Sequence, residues 1–295
     1  MYDLLAIFTG IVISVMVLLN GGLTQSYGTY LAAVIIHIVG VIFAITLCFI
    51  KKEKINPKSH APVWAYLGGA IGVLTTLFSN YAFGKISMTS IIALGLLGQS
   101  LTSVILDAFG WFGTQKRPIN KISIIGFLPA IGGVFLMMDH SVSKSMVAVI
   151  LSLVAGITIV LSRTVNARLS AHTSPLIGSF FNHLVGLPVC ILLFLGLQRP
   201  LLHVTTSAQP WMYLGGVLGV VTVLLLNITV PRVSAFRLTL LSFTGQVFTG
   251  IILDITLGKE YSNSTFVGGL VIAGGLLLNM ALDRWSIGRK QAGTV

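Results

Sequence analysis

The sequence predicts an all-α polytopic membrane protein: ten transmembrane helices forming two inverted five-helix repeats. Three observations carry that prediction. Of 295 residues, 55% are apolar and only 8% charged, at a mean hydropathy of +0.97, whereas a soluble globule carries about 25% charged residues. Apolar stretches long enough to cross a hydrocarbon core of roughly 30 Å recur along the whole chain. The chain also repeats itself: Pro62-Val63-Trp64-Ala65-Tyr66-Leu67-Gly68-Gly69 returns as Pro210-Trp211-Met212-Tyr213-Leu214-Gly215-Gly216, and Gly98-Gln99 through Leu106-Asp107 returns as Gly245-Gln246 through Leu253-Asp254.

In chain order the apolar spans fall at about 3–19, 30–50, 62–82, 88–110, 122–139, 145–163, 175–197, 211–230, 235–257 and 265–282. A span can satisfy its backbone inside lipid on its own only as a helix. The first stretch, Leu4 to Leu19, has the length of a signal peptide. It ends in Asn20-Gly21-Gly22 without a small-residue cleavage site, and it has a counterpart in the second half, so it is expected to belong to the mature fold. Gly68-Gly69 and Gly72 match Gly215-Gly216 and Gly219, and Gly132-Gly133 match Gly274-Gly275. Such small residues let helices approach closely.

The Lys and Arg residues set the expected orientation. With the N-terminus inside, fourteen of the 18 fall in cytoplasmic loops or span ends. Only Lys85, Lys144, Arg199 and Lys259 fall outside. That bias puts both termini in the cytoplasm of a bacterial inner membrane. It also explains the +11 net charge as a topology signal rather than a nucleic-acid surface. Five spans per repeat is an odd number, so 1–142 and 143–295 are expected to run through the membrane in opposite senses, an architecture typical of alternating-access transporters.

The repeats also align polar residues. At an offset of 146, Asn20 meets Asn166 and His37 meets His183. At 147, Asn80 meets Asn227, Gln99 meets Gln246, and Asp107 meets Asp254. Polar groups inside a span are expensive and usually face the bundle interior or a water-filled cavity. Gln99 and Gln246, near the middle of spans four and nine, are the first candidates for substrate contact, with structural hydrogen bonding as the alternative. Asn20, Asn166, Asn80 and Asn227 sit near span ends, where capping is the default role; Asn20 and Asn166 are also kept as substrate-binding candidates. Asp107 follows Gln99 by about 12 Å of helix, close to the inner edge, and Asp254 by inversion close to the outer. Both Asp residues, with His37 and His183, are candidates for gating or proton coupling.

A substrate has no twofold symmetry, so departures between the halves matter as well. Asn182 stands where the first half has Ile36, Arg237 where it has Ser90, and Arg163 where it has Val17. Asn182 joins the substrate-binding candidates. Arg237 is placed to attract an anionic group at the cytoplasmic entrance, and Arg163 is expected to snorkel to the inner surface. Cys48 and Cys190 are not repeat-equivalent and read as two buried thiols.

Several of these segments resemble the drug/metabolite transporter superfamily, most closely its YdcZ-like branch of ten-span bacterial inner-membrane proteins. The match rests on Asn20-Gly21, the Pro62 to Gly72 run, the Gly98-Gln99 to Asp107 segment followed by Phe109-Gly110-Trp111-Phe112-Gly113, and their second-half echoes. The resemblance implies a five-plus-five inverted-repeat fold and a small-molecule exporter or permease. Small multidrug members of that superfamily exchange protons through a Glu midway along their first helix. Ile11 to Leu19 holds no acidic residue, so the resemblance does not extend to that mechanism.

Other function classes fit less well. There is no G-x-x-x-x-G-K-[ST] loop for an ATP-driven pump and no H-E-x-x-H or comparable cluster for an intramembrane enzyme. The expectation is a secondary transporter for a small polar or amphiphilic metabolite or drug, with export the direction that the resemblance implies. It is a non-enzyme with no cofactor and no metal, whose partners are a small-molecule substrate and the lipid bilayer, as a monomer or homodimer. A structural or accessory membrane subunit, or a passive channel, is the alternative.

Overall fold

The computed structural model describes residues 1–54, 61–82, 85–86, 88–116, 121–138, 143, 145–198, 208–257 and 263–292. Among these residues the chain is all-helical. Ten α-helices follow one another: α1 (Tyr2–Tyr27), α2 (Thr29–Ile50), α3 (Gly68–Ala82), α4 (Met88–Phe109), α5 (Lys121–Met137), α6 (Met146–His172), α7 (Pro175–Leu197), α8 (Leu214–Thr229), α9 (Ala235–Thr256) and α10 (Asn263–Ala292). Short 3-10 turns at Val63–Leu67 and Pro210–Tyr213 lead into α3 and α8. The repeated Trp-x-Tyr-Leu-Gly-Gly segment is therefore a bent entrance to a helix, not a straight span.

By length and composition, seven helical segments among the described residues can cross a membrane: α1, α2, most of α4, α6, α7, α8 with its leading turn, and most of α9. Large apolar side chains crowd the outside, among them Phe49, Ile50, Leu192, Leu4 and Phe135. An exposed apolar surface of that extent marks a lipid-facing wall. The protein is a membrane-embedded, multi-pass helical bundle.

Local chemistry starts and stops the helices where expected. Ser145, Ser174 and Ser234 each accept a hydrogen bond from the backbone N–H three residues on, opening α6, α7 and α9. Pro175 occupies the first turn of α7, where its missing N–H costs nothing. Gly28 alone separates α1 from α2, at φ 76°, a backbone conformation suited to glycine. Three helices outrun their apolar stretches, α10 by continuing past residue 282 to Ala292. α1 continues past residue 19 to Tyr27, and α6 past 163 to His172, because the polar turns added there are buried against neighbouring helices rather than released to water.

Contacts between helices follow a mirrored pattern. α1 packs on α9 and α8 as α6 packs on α4 and α3; α2 meets α8 as α7 meets α3; α2–α7, α4–α9 and α5–α10 pair with their own counterparts. One apolar core joins α4, α5, α9 and α10 through Leu96, Met137, Leu240, Leu241 and Ile272. A second joins α2, α6, α7 and α8 through Ala44, Leu169, Phe180 and Val220.

Glycine makes the tightest crossings possible. A Cβ on Gly10 of α1 would overlap the Ser242 carbonyl of α9, and one on Gly245 would overlap that of Ile7. At the mirrored crossing, a Cβ on Gly98 or Gly156 would overlap the Leu153 or Gly95 carbonyl. Backbone cannot yield as a side chain can, so Gly10→Val is expected to cost at least about 1–3 kcal/mol by overpacking. Gly132, where an added Cβ would meet no described residue within 4 Å, should tolerate Ala without loss. Thermal unfolding of the two variants in detergent checks both.

Candidate functional site

Of the residue pairs that the sequence aligns, His37 with His183, Asn20 with Asn166 and Gln99 with Gln246 lie at contacts between residues 1–142 and 143–295. The His37 and His183 rings lie 5.6 Å apart, centroid to centroid, at an interplanar angle of 50°. Each ring packs on the other half's glycine: Gly186 admits His37 and Gly40 admits His183. Nδ1 of His37 donates to the Ala33 carbonyl at 2.8 Å, and Nδ1 of His183 to that of Ser179 at 2.9 Å. A carbonyl can only accept, so Nδ1 carries the proton and a neutral ring keeps its lone pair on Nε2. The Cys190 thiol lies 3.4 Å from His37 Nδ1. Cys48 and Cys190 are both buried and free, as the sequence suggested.

Asn20, Asn166 and Asn227 do not cap helix ends. Asn166 is buried inside α6, its side chain against Gly68 at the start of α3, where any Cβ would overlap it. Its Nδ2 donates to Asn182 Oδ1 on α7 at 2.8 Å. Asn20, inside α1, lies against Gly215 at the start of α8 in the same way. Where Asn166 has Asn182, Asn20 has Ile36, and the buried Asn20 Oδ1 has no hydrogen-bond partner among the described residues. Asn227 is a tie within the second half, donating to the Pro175 carbonyl at 3.0 Å. The side chains of Asn80 and Asp254 lie outside the described residues.

Gln99 and Gln246 follow the crossing glycines Gly98 and Gly245, so each backbone sits on the other half: Gln99 beside Gly156, Gln246 beside Gly10. Ser14 donates to the Gln246 carbonyl at 2.7 Å. Both side chains are half-buried, and neither amide hydrogen-bonds another described residue.

Charged groups gather where α4, α6 and α8 end and α9 begins, the end that the Lys and Arg distribution would put in the cytoplasm. Asp107 accepts from the backbone N–H of Ala235 at 2.8 Å and of Phe236 at 2.9 Å, so a carboxylate on α4 caps the positive N-terminus of α9. Arg163 does not snorkel. It is 5% exposed, and its Nη2 donates to Thr239 Oγ1 at 2.6 Å and to Ser103 Oγ and the Ala235 carbonyl at 3.1 Å. A buried guanidinium needs such oxygens and a nearby counter-charge, and Asp107 supplies the charge. Arg237 forms an ion pair with Asp3 at 2.6 Å. Its charge is thus answered within the protein.

Sequence reasoning missed two groups. Ser103 and Thr239, which hold Arg163, carry no repeat signal. At the opposite end, the Tyr27 and Tyr213 hydroxyls meet at 2.6 Å, and Gln198 bridges the α1–α2 junction by donating to the Tyr27 carbonyl and accepting from Leu31 N–H. Tyr213 belongs to a repeated segment, but its partner has no counterpart to reveal the pairing.

A family model described as "Putative inner membrane exporter, YdcZ" matches residues 1–136 and 147–283. This chain belongs to the YdcZ family. The family description supports a transporter, which is not an enzyme class. Among solved structures, one described only as "Crystal structure of protein" superposes with a TM-score of 0.69 over 96% of each chain, at 13% identity. That likeness shows a shared fold with this YdcZ member and nothing of its activity. No curated protein matches the sequence.

Proposed function

We propose that this YdcZ member is a secondary exporter that carries a small polar or amphiphilic solute by alternating access, between two inverted five-helix repeats spanning residues 1–142 and 143–295. The repeats cross the membrane ten times, with both termini in the cytoplasm. One observation carries the reading. The repeat-matched His37, His183, Asn20, Asn166, Gln99 and Gln246 all sit where one half touches the other, rather than on the lipid-facing wall. Intramembrane polar groups at such an interface mark a pathway for a polar solute.

Gln99 and Gln246 offer the amides that the solute would engage, supported by their lack of hydrogen bonds to other described residues. Asn20, Asn166 and Asn182 extend the polar lining, and the buried Asn20 Oδ1, without a hydrogen-bond partner among the described residues, supplies an acceptor. The His37–His183 pair suits proton coupling, because charging one ring disfavours charging its neighbour. Asp107 acts as the inner latch between α4 and α9, and Asp254 is its outer counterpart by repeat symmetry.

The test is a thermal-shift screen of the purified protein against a broad metabolite and drug library, since a ligand that binds only the folded state must stabilise it. A solute-specific stabilisation that becomes saturable transport in vesicles is the expected outcome. A solute that binds but crosses no faster than through protein-free vesicles would support the accessory-subunit alternative instead.

A further inference from the structure

The capped end of α9 borders a pocket of about 200 Å³, whose ionisable lining among the described residues consists of Asp107, Arg163 and Arg168. The first two answer each other: Arg163 is buried in neutral oxygens beside Asp107, and both Asp107 oxygens are committed to the α9 amides. Arg168 has no such answer. No ion pair or side-chain hydrogen bond joins its guanidinium to a described residue, and its Nε is buried without a partner. It lies against Gly113, at φ 77°, where any side chain would run into the guanidinium. The bend at Trp111–Gly113 therefore leaves room for this one cation.

We propose that this pocket binds a small organic monoanion, its carboxylate on Arg168 and its apolar body against Val230, Val233 and Leu238. The charges select the class: two guanidiniums and one carboxylate leave a single positive charge, which a monoanion neutralises and a dianion exceeds. Arginine's planar fork matches a carboxylate in two parallel hydrogen bonds. Size sets the body, since an apolar cavity of roughly 150 Å³ accepts benzene. The site is distinct from the amides between the halves. Its role as a loading station for the carried solute rests on the transport reading, but binding itself does not.

The test is calorimetric titration of the full chain in uncharged detergent with acetate, benzoate, and benzamide as the neutral isostere of benzoate. Benzoate is expected to bind at least tenfold more tightly than benzamide. Arg168→Gln should abolish that preference at an unchanged melting temperature, Arg168→Lys should keep part of it, and Gln99→Ala with Gln246→Ala should leave it intact. Equal binding of benzoate and benzamide, or a preference that survives Arg168→Gln, would overturn the proposal. So would native mass spectrometry showing Arg168-dependent retention of phosphatidylglycerol with no preference for the carboxylates, which would make the occupant a lipid headgroup. If benzoate binds as expected but no solute is transported, the transport reading fails and the anion site stands.

Discussion

Asp107→Ala is expected to destabilise the protein by about 3 kcal/mol or more, among the largest effects of any single side-chain deletion. Two losses combine. The α9 N-terminus loses an acceptor for the Ala235 and Phe236 N–H groups, and a lost cap alone costs about 1 kcal/mol. Arg163, 5% exposed, becomes a buried cation without its counter-charge, and breaking a buried pair from one side costs about 3–5 kcal/mol. Because Asp107 is only partly buried, the lower part of that range applies. Removing both charges, as Asp107→Ala with Arg163→Met, should recover much of the loss, whereas two independent sites would add. Unfolding titrations of the four proteins in bicelles measure the coupling. Additive losses would mean that Arg163 does not depend on Asp107.

The second large effect is on transport rather than stability. Gln99→Ala with Gln246→Ala is expected to reduce transport of the identified solute at least tenfold while leaving the melting temperature nearly unchanged. The amides make no hydrogen bond to described residues, so truncation strands no protein partner. The solute would lose one or two hydrogen bonds, each worth about 0.5–1.5 kcal/mol net, and about 1.4 kcal/mol is tenfold. A double variant that melts far below the parent would show that the amides hold the helices together.

Much of this arrangement was legible in the sequence, because repetition marks what the halves share. Gly68, Gly69, Gly215 and Gly216 lie against the other half as their repetition suggests, whereas a Cβ on Gly132 or Gly274 would meet no described residue within 4 Å; the alignment paired His37 with His183, and the fold adds that their rings meet. Single residues without a twin were harder to place. Arg163 looks the same in sequence whether it snorkels or turns inward; its burial is decided by Ser103 on α4 and Thr239 on α9, 60 and 76 residues away in the chain. Asp107 reads as a span-end acid, and only the fold shows that its partners are amides on α9. Asn20 and Asn166 read as helix ends because hydropathy marks lipid contact, not helix length. Their helices continue because glycines at the starts of α8 and α3 make room for the amides. The Tyr27–Tyr213 contact had no signal, since only one of its members is repeated.

That contact also provides the most direct test of the central claim, that solute crosses because the two halves part at one end and then the other. Cysteines in place of Tyr27 and Tyr213, in a background with Cys48 and Cys190 replaced by Ser, can be bridged by a short cleavable thiol cross-linker. Transport of the screened solute is then measured before bridging, after bridging and after cleavage. The account predicts that bridging stops transport and cleavage restores it. Undiminished transport through the bridged protein would contradict it.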